Sequence, residues 1–133
     1  GVSMTKPHFS FWIVAGFGLL WHLGGCLNYI MQTNPDNVAQ MPELYQLIIN
    51  TRPSWATAAF ALAVFGGAVG CILLLLRRRV AVSVLIISLT GTLATALDTM
   101  MRISLAPSVL LSILVAVALL WYATIAQRKN WLR

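Results

Sequence analysis

Four long runs of apolar residues, separated by short polar segments, dominate the sequence. They cover residues 11–31, 55–76, 80–101 and 105–126. Each run is close to the ~20 residues that a helix needs to cross the hydrocarbon core of a bilayer. Backbone polar groups in lipid must be satisfied within the segment, and the alternating pattern of membrane barrel strands is absent. The runs therefore predict four transmembrane helices.

The connections between these runs predict how the helices are arranged. The second and third runs are joined by three residues, Arg77 to Arg79, and the third and fourth by a similarly short segment. Connections this short force neighbouring helices to pack antiparallel. We expect an all-α, integral membrane four-helix bundle with up-down-up-down topology, forming a single transmembrane domain over residues 1–133.

The first connection, residues 32–54, is longer and has its own pattern. Pro42 and Glu43 precede the apolar positions Leu44, Tyr45, Leu47 and Ile48. Proline in the first turn and an acid near the positive end of the dipole are typical of a helix start. This predicts a short interfacial helix on the membrane surface. The alternative is that it folds over the mouth of the bundle as a lid.

The distribution of basic residues predicts the orientation. Charged residues make up only 9% of the chain, against about 25% in soluble proteins. Seven basic residues fall on the side that holds both termini and two, Arg52 and Arg102, on the other. The seven are Lys6, Arg77, Arg78, Arg79, Arg128, Lys129 and Arg133. Under the positive-inside rule this predicts a multi-pass membrane protein with both termini in the cytoplasm.

The net charge of +6 does not indicate nucleic-acid binding. The basic residues lie at the ends of the apolar runs and form no stripe or patch. Cys26 and Cys71 both lie inside apolar runs, where a cysteine is usually a small buried hydrophobe and not half of a disulfide.

Polar residues within the spans are the candidates for function, because they are costly in lipid. The first span carries Trp21, His22, Asn28 and Tyr29, which form two parallel stripes on one side of the helix. They could line a polar, aromatic cavity that binds a solute. The alternative is that His22 and Asn28 form hydrogen bonds to a neighbouring helix and serve packing alone.

The third span adds Thr95 and Asp98, on one stripe with Gly91 and Arg102. Asp98 is the one acid within an apolar run, and it could couple transport to a proton or cation. It also precedes Arg102 by four residues, so the alternative is an ion pair near the membrane boundary.

Small residues in the second span predict close helix packing. Gly66 and Gly70 form a GxxxG pair, and Ala63 and Gly67 form a second pair of small residues on the adjacent face. Such faces let two helix backbones approach each other. The pattern leaves open whether the partner helix belongs to the same chain.

Other chemistry finds little support in the sequence. His22 lies several turns from His8, and no cluster of Cys and His has the spacing of metal ligands. The chain also lacks a nucleophile–base pair, paired carboxylates and a phosphate-binding loop. We expect no cofactor, no metal and no enzymatic activity.

Two segments resemble a family of small four-span bacterial inner-membrane proteins commonly labelled "sugar transporter". They are residues 12–29, with Trp12 and the run Leu20-Trp21-His22-Leu23-Gly24-Gly25, and residues 55–79, with Val64-Phe65-Gly66-Gly67 and the arginine turn. In this family an asparagine is expected where His22 stands. The resemblance implies four spans and a role in moving a sugar.

Two functions remain open at this point. The first is transport of a small neutral solute, such as a sugar, by a homo-oligomer, because four helices rarely enclose and gate a pathway alone. The second is a non-transporting membrane protein that binds a partner or a lipid in assembly or regulation.

Overall fold

The computed structural model describes residues 5–103 and 107–133, and it is helical throughout, with no strand in these ranges. Four of its helices are long and apolar enough to cross a membrane, which confirms the predicted all-α four-helix bundle. The helices are α1 (Phe9–Met31), α2 (Pro35–Ala39), α3 (Glu43–Thr51), α4 (Ser54–Leu75), α5 (Val80–Arg102) and α6 (Pro107–Arg128). The predicted start of the last span, Leu105, lies outside the described residues.

The turn between α4 and α5 is as tight as its three residues suggested. Arg77 adopts a left-handed conformation with φ of 58°. This lets the Arg77 and Arg78 amides donate to the carbonyl oxygens of Leu74 and Leu73, both at 2.9 Å. Such bonds satisfy carbonyls that the end of a helix leaves without partners.

Helix α4 packs between α1 and α5, and α6 completes the bundle by packing against α5 and, less extensively, against α1. The contact between α4 and α5 depends on small residues on both helices. A Cβ placed on Gly91 would lie 2.7 Å from the Ala59 carbonyl oxygen, and one on Gly70 would lie 2.7 Å from Leu85 Cδ2. The Ser88 hydroxyl crosses this seam and donates to the Ala63 carbonyl oxygen at 2.7 Å.

The small residues predicted to pack helices therefore meet partners within the same chain. Gly66 and Gly70 face α5, where a Cβ on Gly66 would lie 3.5 Å from Ser88. Gly67 faces α1 and lies against the ring of His22.

The two ends of the bundle are built differently. The end that carries both termini and the Arg77–Arg79 turn is called the basic end here, and the opposite end, with α2 and α3, the loop end. At the basic end all four long helices contribute to one apolar core, which the C-terminal segment completes with Trp131 and Leu132. Trp131 meets Phe11 edge to face, with ring centroids 5.9 Å apart.

Helices α1 and α6 meet in the basic half of the bundle. Ser10 and Tyr122 share a hydrogen bond of 2.6 Å, and Leu119 packs where a side chain on Gly18 would stand. Beyond this layer the two helices diverge toward the loop end and leave an open space between them.

Candidate functional site

The space between the diverging helices is a cavity of about 570 Å³ at the loop end. Five of the six helices contribute to its wall, since α1, α4, α5 and α6 form the sides and α3 lies across the mouth. Among the predicted site residues, Trp21, His22, Asn28 and Thr95 line it. Tyr29 instead packs between Phe60 and Phe65 on α4, with ring centroids 6.0 and 5.6 Å away.

The floor of the cavity is a closely packed layer of three helices. A Cβ on Gly18 would lie 2.6 Å from Leu119 and 2.9 Å from Cys71 Sγ, so glycine is what lets α1, α4 and α6 meet here. Leu119 is buried in the core of the basic end. The cavity is thus closed toward the basic end and open toward the loop end.

His22 lies on this floor with its ring fixed on two sides. Its Nδ1 lies 2.8 Å from the Gly18 carbonyl oxygen, which can only accept, so Nδ1 carries the proton. The opposite edge of the ring lies on Gly67, which has no side chain to exclude it. Nε2 has no hydrogen-bond partner among the described residues, and in the neutral ring this nitrogen is an acceptor.

A row of hydroxyl groups on α5 forms one wall. Thr92, Thr95 and Thr99 each donate to the carbonyl oxygen four residues earlier, at 3.0, 2.8 and 3.1 Å. On α6 Ser112 does the same toward Ser108, at 2.9 Å. A hydroxyl that has donated its proton keeps its lone pairs, so this wall offers hydrogen-bond acceptors.

Asp98 is not part of the cavity wall, although Thr95 and Thr99 on either side of it are. Its carboxylate accepts two hydrogen bonds from Arg102, of 2.8 and 2.7 Å. The Asp98 side chain is 3% exposed and that of Arg102 is 24% exposed. Arg102 also donates to the Thr51 hydroxyl at 2.5 Å, which ties the end of α3 to α5. The sequence left two roles open for Asp98, a carboxylate that couples transport to a cation and an ion-pair partner of Arg102. The geometry is that of the ion pair.

The cavity wall also contains Arg52, which the sequence analysis counted only as a basic residue of the first loop. Its guanidinium donates to Gln32 at 2.8 Å and to Thr57 at 3.2 Å, and lies 5.2 Å from the centre of the Phe60 ring. Burial, and then the nearby charge of Arg102, lower the pKa of Arg52. Arginine remains charged despite such a shift. In the sequence, the feature that could have indicated this role is the position of Arg52 next to Pro53, directly before a span.

Helix α3 occupies the place where the sequence predicted a short helix. Tyr45, Ile48 and Ile49 line the cavity, while no residue of α3 is buried. The helix therefore covers the mouth from the surface of the bundle, and the hydrogen bond from Arg102 to Thr51 fastens its last turn.

No family model, curated protein or solved structure matches the chain. The chemistry of the cavity therefore rests on its own geometry. Within the described residues no three His, Cys, Asp or Glu side chains lie close enough together to hold a metal ion.

Proposed function

We propose that this small integral membrane protein transports a small solute rich in hydroxyl groups, such as a sugar, and that the cavity at the loop end is its binding site. The observation that carries the proposal is the composition of the wall. Hydroxyl-bearing residues of α5 and α6, together with His22, line a space that aromatic side chains also line.

This wall suits a polyhydroxylated molecule. Sugar hydroxyls can donate to Thr92, Thr95 and Ser112, whose own protons are already engaged. The apolar C–H face of a sugar ring can pack on Trp21 or Phe60, both of which line the cavity. The amides of Asn28 and Gln32 supply donors toward the mouth. No carboxylate lines the cavity, so the wall offers no group that would select a cation.

Transport requires a second state in which the site opens to the basic end. A single bundle closed by Leu119 cannot reach that state without separating its core, whereas two chains can rock against each other around a shared pathway. We therefore include a homo-oligomer in the proposal. Large exposed side chains on α6, among them Leu110, Leu114 and Trp121, supply an apolar face for lipid or for a second copy.

Uptake of radiolabelled D-glucose and related neutral sugars into proteoliposomes tests this function. The informative variant is Thr95→Val, which removes a hydroxyl from the wall and keeps the shape. We expect it to lower uptake about two- to tenfold, as for one neutral hydrogen bond. Thr90→Val is the matched control, because Thr90 bonds to its own helix in the same way but lies exposed on another face. Absence of saturable uptake for every sugar would contradict transport.

A second function is favoured by one feature, the sideways opening of the cavity between α1 and α6. Leu20 and Leu111 line the cavity and are nevertheless 71% and 46% exposed, so the space is continuous with the surface that faces lipid. An acyl chain could enter by this route, and the protein would then bind lipid without transporting it. Native mass spectrometry that finds a retained lipid, together with no sugar uptake, would favour this function.

We further propose that the basic end lies in the cytoplasm, on the strength of the seven-to-two distribution of basic residues. That the membrane is a bacterial inner membrane is proposed from the family resemblance of residues 12–29 and 55–79. Asn37→Cys and Arg78→Cys, treated with an impermeant thiol reagent in intact cells, test the orientation. Both native cysteines are buried. Labelling at position 37 alone is expected, and labelling at position 78 alone would reverse the orientation.

A further inference from the structure

Arg52 is a partly buried cation in the cavity wall without an ion-pair partner. The whole chain has three acids, and all three lie in described segments. Asp98 forms an ion pair with Arg102, whereas Asp36 and Glu43 are exposed on α2 and α3. No carboxylate of the chain lies within ion-pair distance of Arg52. The guanidinium groups of Arg52 and Arg102 therefore have one carboxylate between them, that of Asp98. One positive charge at the mouth is left uncompensated.

The surroundings hold the Arg52 side chain in place without neutralising it. The side-chain amide oxygen of Gln32 and the Thr57 hydroxyl accept from two of its nitrogens, and the Phe60 ring lies beside it. Guanidinium has five N–H donors in a planar fork, and these two bonds leave other donors unused. The group is thus fixed in position, partly desolvated and still able to form hydrogen bonds.

Arg52 lies between two helix ends, the C-terminus of α3 and the N-terminus of α4. The cap residue of α4, Pro53, provides no side-chain hydrogen bond, and no acid lies in the first turn. A helix N-terminus carries the equivalent of roughly half a positive charge. The C-terminus of α3 carries a partial charge of the opposite sign, so the two helix ends offset each other and the excess positive charge at the mouth is that of the guanidinium.

We propose that Arg52 binds one oxyanion group, a carboxylate or a phosphate, on the molecule that occupies the cavity. This inference rests on the proposed function and refines its substrate class, from a neutral sugar to a hydroxylated molecule with one negative group at the mouth. Arginine pairs with both oxyanions through two parallel hydrogen bonds, and such charge-assisted bonds are stronger than neutral ones. The hydroxyl-bearing body then lies deeper, against Thr95 and His22.

The oxyanion can come from two sources. A soluble sugar acid would enter from the loop end, whereas an acidic phospholipid would place its phosphate at Arg52 and its chain in the opening between α1 and α6. The experiment therefore has two arms that use the purified full-length protein. Calorimetric titration compares D-glucuronate with D-glucose, and native mass spectrometry compares added phosphatidylglycerol with phosphatidylcholine.

In the arm that matches the true source, the wild-type protein should prefer the anionic molecule over the neutral one by about ten- to hundredfold, as for one charge-assisted contact. Arg52→Gln should abolish this preference by lowering the affinity for the anionic molecule, while Arg52→Lys should retain part of it. Arg78→Gln removes an exposed arginine at the basic end and should have no effect.

The proposal is overturned if neither arm shows a preference for the anion in the wild-type protein, or if the preference survives in Arg52→Gln. The wild-type comparison stands even if that variant does not fold. Failure of this inference is distinguishable from failure of transport. Saturable glucose uptake without anion preference would leave the transport function intact, whereas Arg52-dependent anion binding without uptake would leave the anion site intact.

Discussion

The basic end and the loop end are made by the same four long helices, yet the basic end is closely packed and the loop end contains a cavity. A Cβ placed on Gly18 would meet Leu119 at 2.6 Å, whereas one placed on Gly24, less than two turns along α1, would meet nothing within 4 Å. In lipid, helices have no hydrophobic drive to associate, so side-chain fit decides where they touch. The difference between the ends is therefore a difference in which side chains face inward.

At the basic end the inward-facing residues fill the space between the helices. Phe11, Leu74 and Leu132 are fully buried there, with alanines between them. At the loop end the inward positions of α5 and α6 carry threonine and serine, which are smaller and polar. These side chains cannot fill the gap between α1 and α6, so a cavity with hydroxyl walls remains.

The chain ends contribute to the same contrast. The Thr5 amide donates to the Asn130 carbonyl oxygen at 2.9 Å, and the Arg133 amide donates to the Arg77 carbonyl oxygen at 2.7 Å. Among the described residues of the loop end, the side chain of Arg102 holds the last turn of α3 through Thr51.

The largest expected effect is at the loop end, in the pair between Asp98 and Arg102. Arg102→Gln leaves a carboxylate that is 3% exposed without its partner, and the loss of stability should be about 3–5 kcal/mol. Asp98→Asn leaves a guanidinium that is 24% exposed and can turn to water, so about 1 kcal/mol is expected. Reversible unfolding in mixed micelles measures both.

The double variant, Asp98→Asn with Arg102→Gln, is the control for this pair. It should be more stable than Arg102→Gln alone, since no charge is then left buried. Equal losses for the two single variants would mean that the pair behaves as an exposed one, worth only about 0.3–0.5 kcal/mol.

An intermediate effect is expected where the two ends join, at Gly67. A Cβ there would lie 2.0 Å from His22 Cδ2, so Gly67→Ala must displace the ring and weaken its bond to Gly18. We expect a loss of about 1–3 kcal/mol, typical of overpacking, in the same unfolding assay. His22→Ala should restore stability to the Gly67→Ala protein.

Gly24→Ala is the matched control for Gly67→Ala, because it adds the same methyl group to a helix facing open space. It should leave stability unchanged or raise it by up to about 1 kcal/mol through backbone entropy. If both variants lose stability equally, the close approach of Gly67 to His22 is not what holds α1 against α4.

The smallest effect is expected at the basic end, in Arg77. Its side chain donates to the Trp131 and Thr5 carbonyl oxygens at 2.8 and 2.7 Å. Arg77→Ala removes both bonds and keeps a side chain at φ of 58°, so a loss of about 1–2 kcal/mol is expected.

Arg77→Gly separates the two contributions, because glycine adopts this conformation freely while losing the same hydrogen bonds. It should be more stable than Arg77→Ala, and the melting temperature of Arg78→Ala should match the wild type. A larger loss in Arg77→Gly than in Arg77→Ala would show that backbone conformation does not contribute.

Much of the fold was predictable from the sequence, because a bilayer restricts the options. Helices α1, α4 and α5 begin and end within about two residues of the predicted spans, since the length of an apolar run reflects the thickness of the hydrocarbon core. The antiparallel order followed from the short connection at Arg77–Arg79. The small residues of α4 indicated close packing, although not which helix each would face.

The functional site was only partly predictable. Helical periodicity placed Thr95 and Asp98 near one another on α5, and the sequence could not tell which of them would face a cavity. That depends on the rotation of α5, which is fixed by the approach of Gly91 to the Ala59 carbonyl oxygen and by the Ser88 bond to Ala63. These contacts turn Thr95 toward the cavity and leave Asp98 outside its wall, paired with Arg102 on the same helix.

The sequence by itself thus determined the number, length and order of the spans, because each helix must satisfy its own backbone in lipid. The tertiary structure alone decided that α1 and α6 separate on the loop-end side of the contact between Gly18 and Leu119. It also brought Arg52, remote in sequence from Trp21 and Thr95, to the same cavity. The reason is that local patterns fix which face of a helix is polar, whereas the shapes of the meeting side chains decide where two helices touch.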